Sequence, residues 1–94
     1  MRRSRALAKI RIRLSTHARK AYEKLARSDK RLFRRVDRAL DRIAAEPEAG
    51  KPLVGPLKGR RSYRVGSVRI IYRRHRGECQ VLVLDVAQRG RVYR

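Results

Sequence analysis

Cysteine is nearly missing from this sequence: Cys79 is the single one among 94 residues. One thiol closes no intrachain disulfide and builds no cysteine zinc cluster, so an unstapled fold in a reducing cytoplasm is expected. Long apolar runs are missing too. The longest strongly aliphatic stretch is Val81–Leu84, far short of the ~20 residues a spanning helix needs, so no membrane partner is expected. The N-terminal MRRSRALAKIRIRL is basic but has no apolar h-region, which argues against a secretory signal. The two histidines, His17 and His75, have no second ligand at metal spacing, and each reads as a surface histidine with no metal or cofactor to hold. Cys79 has no nearby histidine by sequence and reads as a packed or edge thiol rather than a nucleophile. Gly55–Gly59 (GPLKG) lacks the spacing and the Lys-Ser/Thr ending of a phosphate-binding loop. Carboxylates are scarce, and several stand beside arginines at helical spacing (Arg38 with Asp41, Arg42 with Glu46), so a paired acid/base site is a poor reading.

What the chain has in excess is positive charge. With 28 Lys+Arg against 8 Asp+Glu the formal charge is +20 at pH 7. Residues 1–94 suffice for one small domain, which buries only about 60–65 % of the surface its unfolded form exposes. Self-repulsion at such charge disfavours the compact state and calls for a polyanion or an acidic protein as counterweight. The charge is uneven. Glu23, Asp29, Asp37, Asp41, Glu46 and Glu48 lie in or just after the predicted helices, whereas Val54–Arg76 has eight basic residues and no acid.

Hydrophobic spacing argues for a folded chain. Ile10, Ile12 and Leu14 alternate with Arg11 and Arg13, the period of a half-buried strand. Ser15 or Thr16 can cap a helix carrying Ala18, Ala21, Tyr22 and Leu25 on one face. After a break at Ser28-Asp29, the residues Leu32, Phe33, Val36, Ala39, Leu40, Ile43 and Ala44 form a longer helical stripe that Pro47 ends. Pro47–Gly59 holds every proline of the chain and reads as an irregular connection. Beyond it the period becomes two: a strand over Arg61–Val65, a Gly66-Ser67 turn, a strand over Val68–Arg73, an Arg76-Gly77 turn and a strand over Cys79–Val86. Val81–Leu84 is apolar on both faces, so that strand is expected in the sheet interior. The order is β-α-α-β-β-β, an α+β fold with an antiparallel-rich twisted sheet and an N-terminal helical hairpin packed on one face.

Once histidine, cysteine and carboxylates are set aside, arginine and tyrosine remain. Arg61, Arg64, Arg69 and Arg89 lie on or beside predicted strands, with Tyr63, Tyr72 and Tyr93 among them. A guanidinium matches phosphate oxygens with a two-pronged fork, and a tyrosine offers a stacking face or an exchangeable proton. The residues alone leave two readings open: a basic face that holds nucleic acid without reacting, and one that cuts it. Tyr72 reads as a packing ring.

The string KPLVGPLKGRRSYRVGSVRIIY (51–72), followed by VLVLDV (81–86) and QRGRVY (88–93), resembles the RelE/ParE superfamily of bacterial toxin-antitoxin toxins. The helical half fits the same order, so the resemblance covers nearly the whole chain. It implies a microbial-ribonuclease-like α+β fold and an acidic cognate antitoxin, joined with the toxin in a hetero-oligomer. One branch of that superfamily cleaves mRNA on the ribosome; another poisons DNA gyrase. The match to Arg64, Arg69 and the Arg89–Tyr93 ending favours the RelE-like branch, with ribosome and mRNA as partners. By resemblance Arg64 and Arg69 would hold the scissile phosphate, Arg89 would sit at the leaving-group side, and Tyr93 would take the 2′-hydroxyl proton, with no metal. Lys58, Arg60, Arg61, Tyr63, Arg73 and Arg91 would contact RNA. The sequence departs from the RelE-like pattern at Ser62, where a second basic residue is common; Arg60 and Arg61 stand beside it.

Overall fold

The computed structural model describes residues 10–75 and 80–88. Strand β1 (Arg11–Leu14) leads into helix α1 (Thr16–Ser28) and helix α2 (Lys30–Ala45), then a 3-10 turn at Pro47–Ala49. The chain continues as β2 (Lys51–Pro52), a second 3-10 turn (Gly55–Leu57), β3 (Arg61–Val65), β4 (Val68–His75) and β5 (Gln80–Gln88). The strands form one sheet in the order β1-β5-β4-β3-β2. Only the β1–β5 pair in it is parallel. This is the expected α+β plan, and β5 is interior as its two apolar faces require.

Three boundaries differ from the sequence reading. The stretch expected to be irregular contains β2, whose Lys51 pairs with Ser62 and Pro52 with Arg61. Two residues carry no readable period, and Pro52 has no N–H to donate, which a strand tolerates at the sheet edge where β2 lies. Strand β4 runs on to His75, and β5 reaches Gln88 rather than Val86, because Gln88 still has a partner in Val68. The Arg76-Gly77 turn and Cys79 lie outside the described residues.

Short polar side chains set the helix ends. Ser15 caps α1, its hydroxyl oxygen accepting from the Ala18 N–H at 3.0 Å. The same hydroxyl donates to the Leu84 carbonyl at 3.1 Å, and the Ser15 N–H donates to the Val83 carbonyl at 2.9 Å. The cap thereby fixes α1 to β5 as well as starting it. Asp29 serves both helices: its N–H donates to the Leu25 carbonyl at 2.9 Å and its carboxylate accepts from the Leu32 N–H at 3.1 Å. One residue therefore makes the hairpin corner that Ser28-Asp29 predicted.

The helices cover one face of the sheet. Ala18 and Leu25 of α1 and Leu32, Val36, Ala39, Leu40 and Ile43 of α2 meet Val65, Val68, Ile70, Tyr72, Val81, Val83 and Val86 in a single core cluster. A β-bulge lies in the β4–β5 pairing: Ile70 pairs with Val86 and Ile71 with Asp85, but Tyr72 pairs with Val83. The extra residue lets Val83 and Val86 both join the core and re-aims Asp85. Its Oδ1 lies 2.9 Å from Nε2 of His17 at the start of α1. Gly66, at φ 58°, opens the β3–β4 turn, a backbone shape that glycine adopts at no steric cost. Among the described residues no helix is long and apolar enough to cross a membrane.

Candidate nucleic-acid interface

Residues directly opposed across neighbouring strands share a face of the sheet. Arg64 of β3 stands opposite Arg69 of β4, which stands opposite Ala87 of β5. Two residues further along the same face of β4 is Ile71, then Arg73, opposite Leu82, which in turn is opposite Arg13 of β1. Lys51 shares this face through Ser62. The face turned away from both helices thus presents Lys51, Arg64, Arg69, Arg73, Arg13 and, two residues before it, Arg11. In β5 the acid at this register is Asp85, and His17 engages it. Like charges directly opposed, such as Arg64 and Arg69, work against pairing. An anion between them reverses the sign of that term.

Beside the arginine pair lies an open groove of about 710 Å³, whose lining includes Lys51, Leu53, Val54, Ser62, Arg64 and Arg69. Val54 on its rim is 82 % exposed, a large apolar side chain held in solvent. The groove wall formed by β2 is tied down from the core. Tyr72 is fully buried; its hydroxyl donates to the Pro47 carbonyl at 2.6 Å and accepts from the Gly50 N–H at 2.8 Å. Burial pushes the Tyr72 phenol above its ordinary pKa, partly offset by the Gly50 N–H and the Arg61 charge. A side chain at Gly50 would place its Cβ 2.5 Å from the Tyr72 oxygen, so glycine is required by space. Arg61 completes the tie: its Nη1 donates to the Gly50 carbonyl at 2.7 Å and to the Glu48 carbonyl at 3.3 Å. Glu48 Oε2 in turn lies 3.3 Å from Arg74 Nη1.

The sequence-predicted residues therefore sort by face. Arg64, exposed, and Arg69, half-buried, come together at the groove, with Arg73 exposed further along β4. Arg61 falls on the opposite face, where its guanidinium holds the backbone that leads into β2. Tyr63 is half-buried, packs against the core and also lines the groove. Lys58 is exposed after the second 3-10 turn, and Arg60 is half-buried beyond it, its carbonyl accepting from Leu53 N–H at 2.9 Å. Arg89, Arg91 and Tyr93 lie outside the described residues; β5 ends at Gln88, opposite Val68 and so beside the Arg69 position. Lys51, Arg11 and Arg13 were missed as members of this face. The alternation of Arg11 and Arg13 with Ile12 and Leu14 was visible, but nothing local says that β1 docks parallel beside β5.

The family model of the ParE toxin of the type II toxin-antitoxin system, parDE, matches residues 12–93. The chain belongs to this toxin family. Solved structures agree. The toxin is 32 % identical to a chain of the RelBE2 toxin-antitoxin complex from Mycobacterium tuberculosis, with a TM-score of 0.75 over 86 % of this chain and 99 % of that one. A YoeB/ParE toxin from Agrobacterium tumefaciens shares 21 % identity, with a TM-score of 0.77 over 84 % of this chain and 98 % of that one. A chain of the archaeal RelE-RelB complex from Pyrococcus horikoshii shares 23 %, with a TM-score of 0.68 over 88 % of this chain and 98 % of that one. No curated protein sequence matches. The protein is a type II toxin of the RelE/ParE superfamily with the fold of the RelE and YoeB toxins.

Proposed function

We propose that this toxin is a ribosome-dependent mRNA endonuclease that uses the RNA's own 2′-hydroxyl as nucleophile. The observation that carries the reading is the opposed Arg64–Arg69 pair at an open groove on the face turned away from the two described helices. Cleavage of this kind needs a base for the 2′-hydroxyl, charge stabilisation at a dianionic phosphorane and help for the leaving 5′-oxygen. Arg64 and Arg69 face the non-bridging oxygens with planar forks suited to them. Tyr93 takes the 2′-hydroxyl proton as the oxygen bonds to phosphorus. The bond to the 5′-oxygen then breaks, leaving a 2′,3′-cyclic phosphate and a 5′-oxygen that takes up a proton from water, with Arg89 stabilising its charge. All four roles rest on resemblance, and the strand register adds that Arg64 and Arg69 stand opposite each other.

A free tyrosine, with pKa near ~10, is a weak base at neutral pH, and neighbouring guanidinium charges favour its phenolate. The ribosome supplies what so sparse a site lacks, by clamping the mRNA in a reactive geometry. An acidic cognate antitoxin is the natural regulator, since similar toxins from Mycobacterium and Pyrococcus were solved as complexes with theirs. It would compete with RNA for the same charge.

The test is a pulse of expression without antitoxin, followed by mapping of mRNA 5′ ends. Breaks within codons support the reading, and intact transcripts in arrested cells sink it. The ParE description of the matching family favours a second reading, DNA gyrase poisoning. Double-strand DNA breaks and filamentous cells, with Tyr93→Phe still toxic, would select that one.

A further inference from the structure

Among the described residues, the strand arginines on the face turned away from the two helices fall into two rows. The inner row is Arg64–Arg69–Ala87, over β3, β4 and β5. The outer row is Arg73–Leu82–Arg13, over β4, β5 and β1, with Arg11 beside it on β1. Four residues of β4 separate the rows, roughly 13 Å at strand rise. Arg73 and Arg13 are two strand spacings apart, on the order of 10 Å, with the half-buried Leu82 between them. All three arginines of the outer row and its flank are exposed.

We infer that the outer row is a second anion subsite, which grips the phosphodiester backbone of single-stranded RNA to one side of the position held by Arg64 and Arg69. This rests on the RNA-binding part of the proposed function. It adds Arg13 and Arg11, from a strand at the far edge of the sheet, to the surface that reads the substrate. Edge strands carry charge to discourage sheet-to-sheet aggregation, which accounts for Arg11 and Arg13 alone. It does not account for Arg73, which lies on an interior strand and aligns with Arg13 across Leu82. A linear array of guanidinium forks on a flat face fits a polymer with one charge per nucleotide, and Leu82 offers an apolar floor for a base or ribose. Because the contacts are to phosphate, the subsite sets affinity and register without sequence preference.

The experiment measures binding of the purified toxin to a 2′-O-methyl single-stranded RNA, which cannot be cut, by fluorescence anisotropy across a salt series. Arg13→Gln combined with Arg73→Gln should weaken binding at low salt and flatten the log K against log salt slope by about 0.7 per lost phosphate contact. The single variants should each produce about half of that. Arg31→Gln with Arg34→Gln, exposed positions on α2, removes the same charge and should leave the slope as in the wild type. Equal slopes for the two double variants would overturn the inference. So would a loss of antitoxin binding by Arg13→Gln/Arg73→Gln with the RNA slope unchanged, which would assign the row to the protein partner. Circular dichroism confirms that each variant is folded. Since the RNA cannot react, a failure of the cleavage reading leaves this result standing, and the reverse also holds.

Discussion

The two faces of the sheet are built from the same strands and obey opposite rules. On the covered face Val65, Val68, Ile70, Tyr72, Val81, Val83 and Val86 are buried under two helices. The one polar atom among these side chains, the Tyr72 hydroxyl, makes hydrogen bonds as both donor and acceptor. On the face turned away from the two described helices the same strands set Arg64 against Arg69 and align Arg73 with Arg13. The covered face minimises unsatisfied polarity, whereas the other face gathers like charges, which on the proposed reading a bound polyanion would neutralise. Apolar burial is therefore concentrated on one side of the sheet and positive charge on the other. Substitutions should separate the two.

The largest separation is expected at Arg69. Arg69→Ala should lower cleavage of ribosome-bound mRNA by on the order of 10²–10³, the effect of removing one donor from a transition-state oxyanion. Its thermal midpoint should stay within a few degrees of that of the wild type. A melt more than a few degrees lower would show that Arg69 serves the fold. On the covered face the order reverses. Gly50→Ala drives a Cβ onto the Tyr72 oxygen and should destabilise by about 1–3 kcal/mol or more. Tyr72→Phe leaves the Gly50 N–H and the Pro47 carbonyl without their buried partner and should cost about 1–3 kcal/mol. Urea melts of both should show lower midpoints with unchanged slopes. Because the tie also holds β2 against the groove, both should weaken RNA binding less than they weaken the fold.

A smaller effect belongs to the helical hairpin. Tyr22 donates to Asp37 Oδ1 at 2.6 Å. Burial first, then that bond and the Asp37 and Asp41 charges, push its phenol up to about 12. A phenol raised in the folded state contributes stability that is complete below its unfolded pKa of about 10 and is lost as pH rises toward 12. Tyr22→Phe should remove that part of the alkaline destabilisation, read from melts between pH 9 and 12 as approximate bounds of the window. An unchanged pH dependence would place the loss elsewhere, with the buried Tyr72 next to examine. The smallest effect is expected at Arg64. Arg64→Gln relieves a like-charge pair and should stabilise the free toxin by about 0.2–1 kcal/mol. Destabilisation instead would mean that the arginine-bearing face contributes to folding.

The covered face was legible in the sequence, because burial leaves a period. The stripe from Leu32 to Ile43 and the alternation of Ile12 and Leu14 with Arg11 and Arg13 each marked an element and its inner side. Ser15 and Asp29 marked the helix ends through hydroxyl and carboxylate caps. What could not be read was long-range register. Arg13 and Arg73 are far apart in the chain and meet only because β1 lies beside β5, an arrangement no local pattern encodes. The β-bulge that turns Asp85 toward His17 is equally silent in sequence. Arg61 illustrates the limit at the site: in a string of arginines its chemistry looks identical to that of Arg64, yet one step of strand alternation sends it to the Gly50 carbonyl instead of the groove. The family motif supplied Arg64 and Arg69, and the sheet register supplied Arg11, Arg13 and Lys51.

The decisive comparison is cleavage of an mRNA on programmed ribosomes by the purified toxin and by Arg69→Ala, with 5′ ends mapped to the nucleotide. Cuts within codons are expected from the wild type and should be lost in Arg69→Ala, whose thermal midpoint stays within a few degrees of the wild type's. Equal cleavage by the two proteins, or none by the wild type, would contradict it.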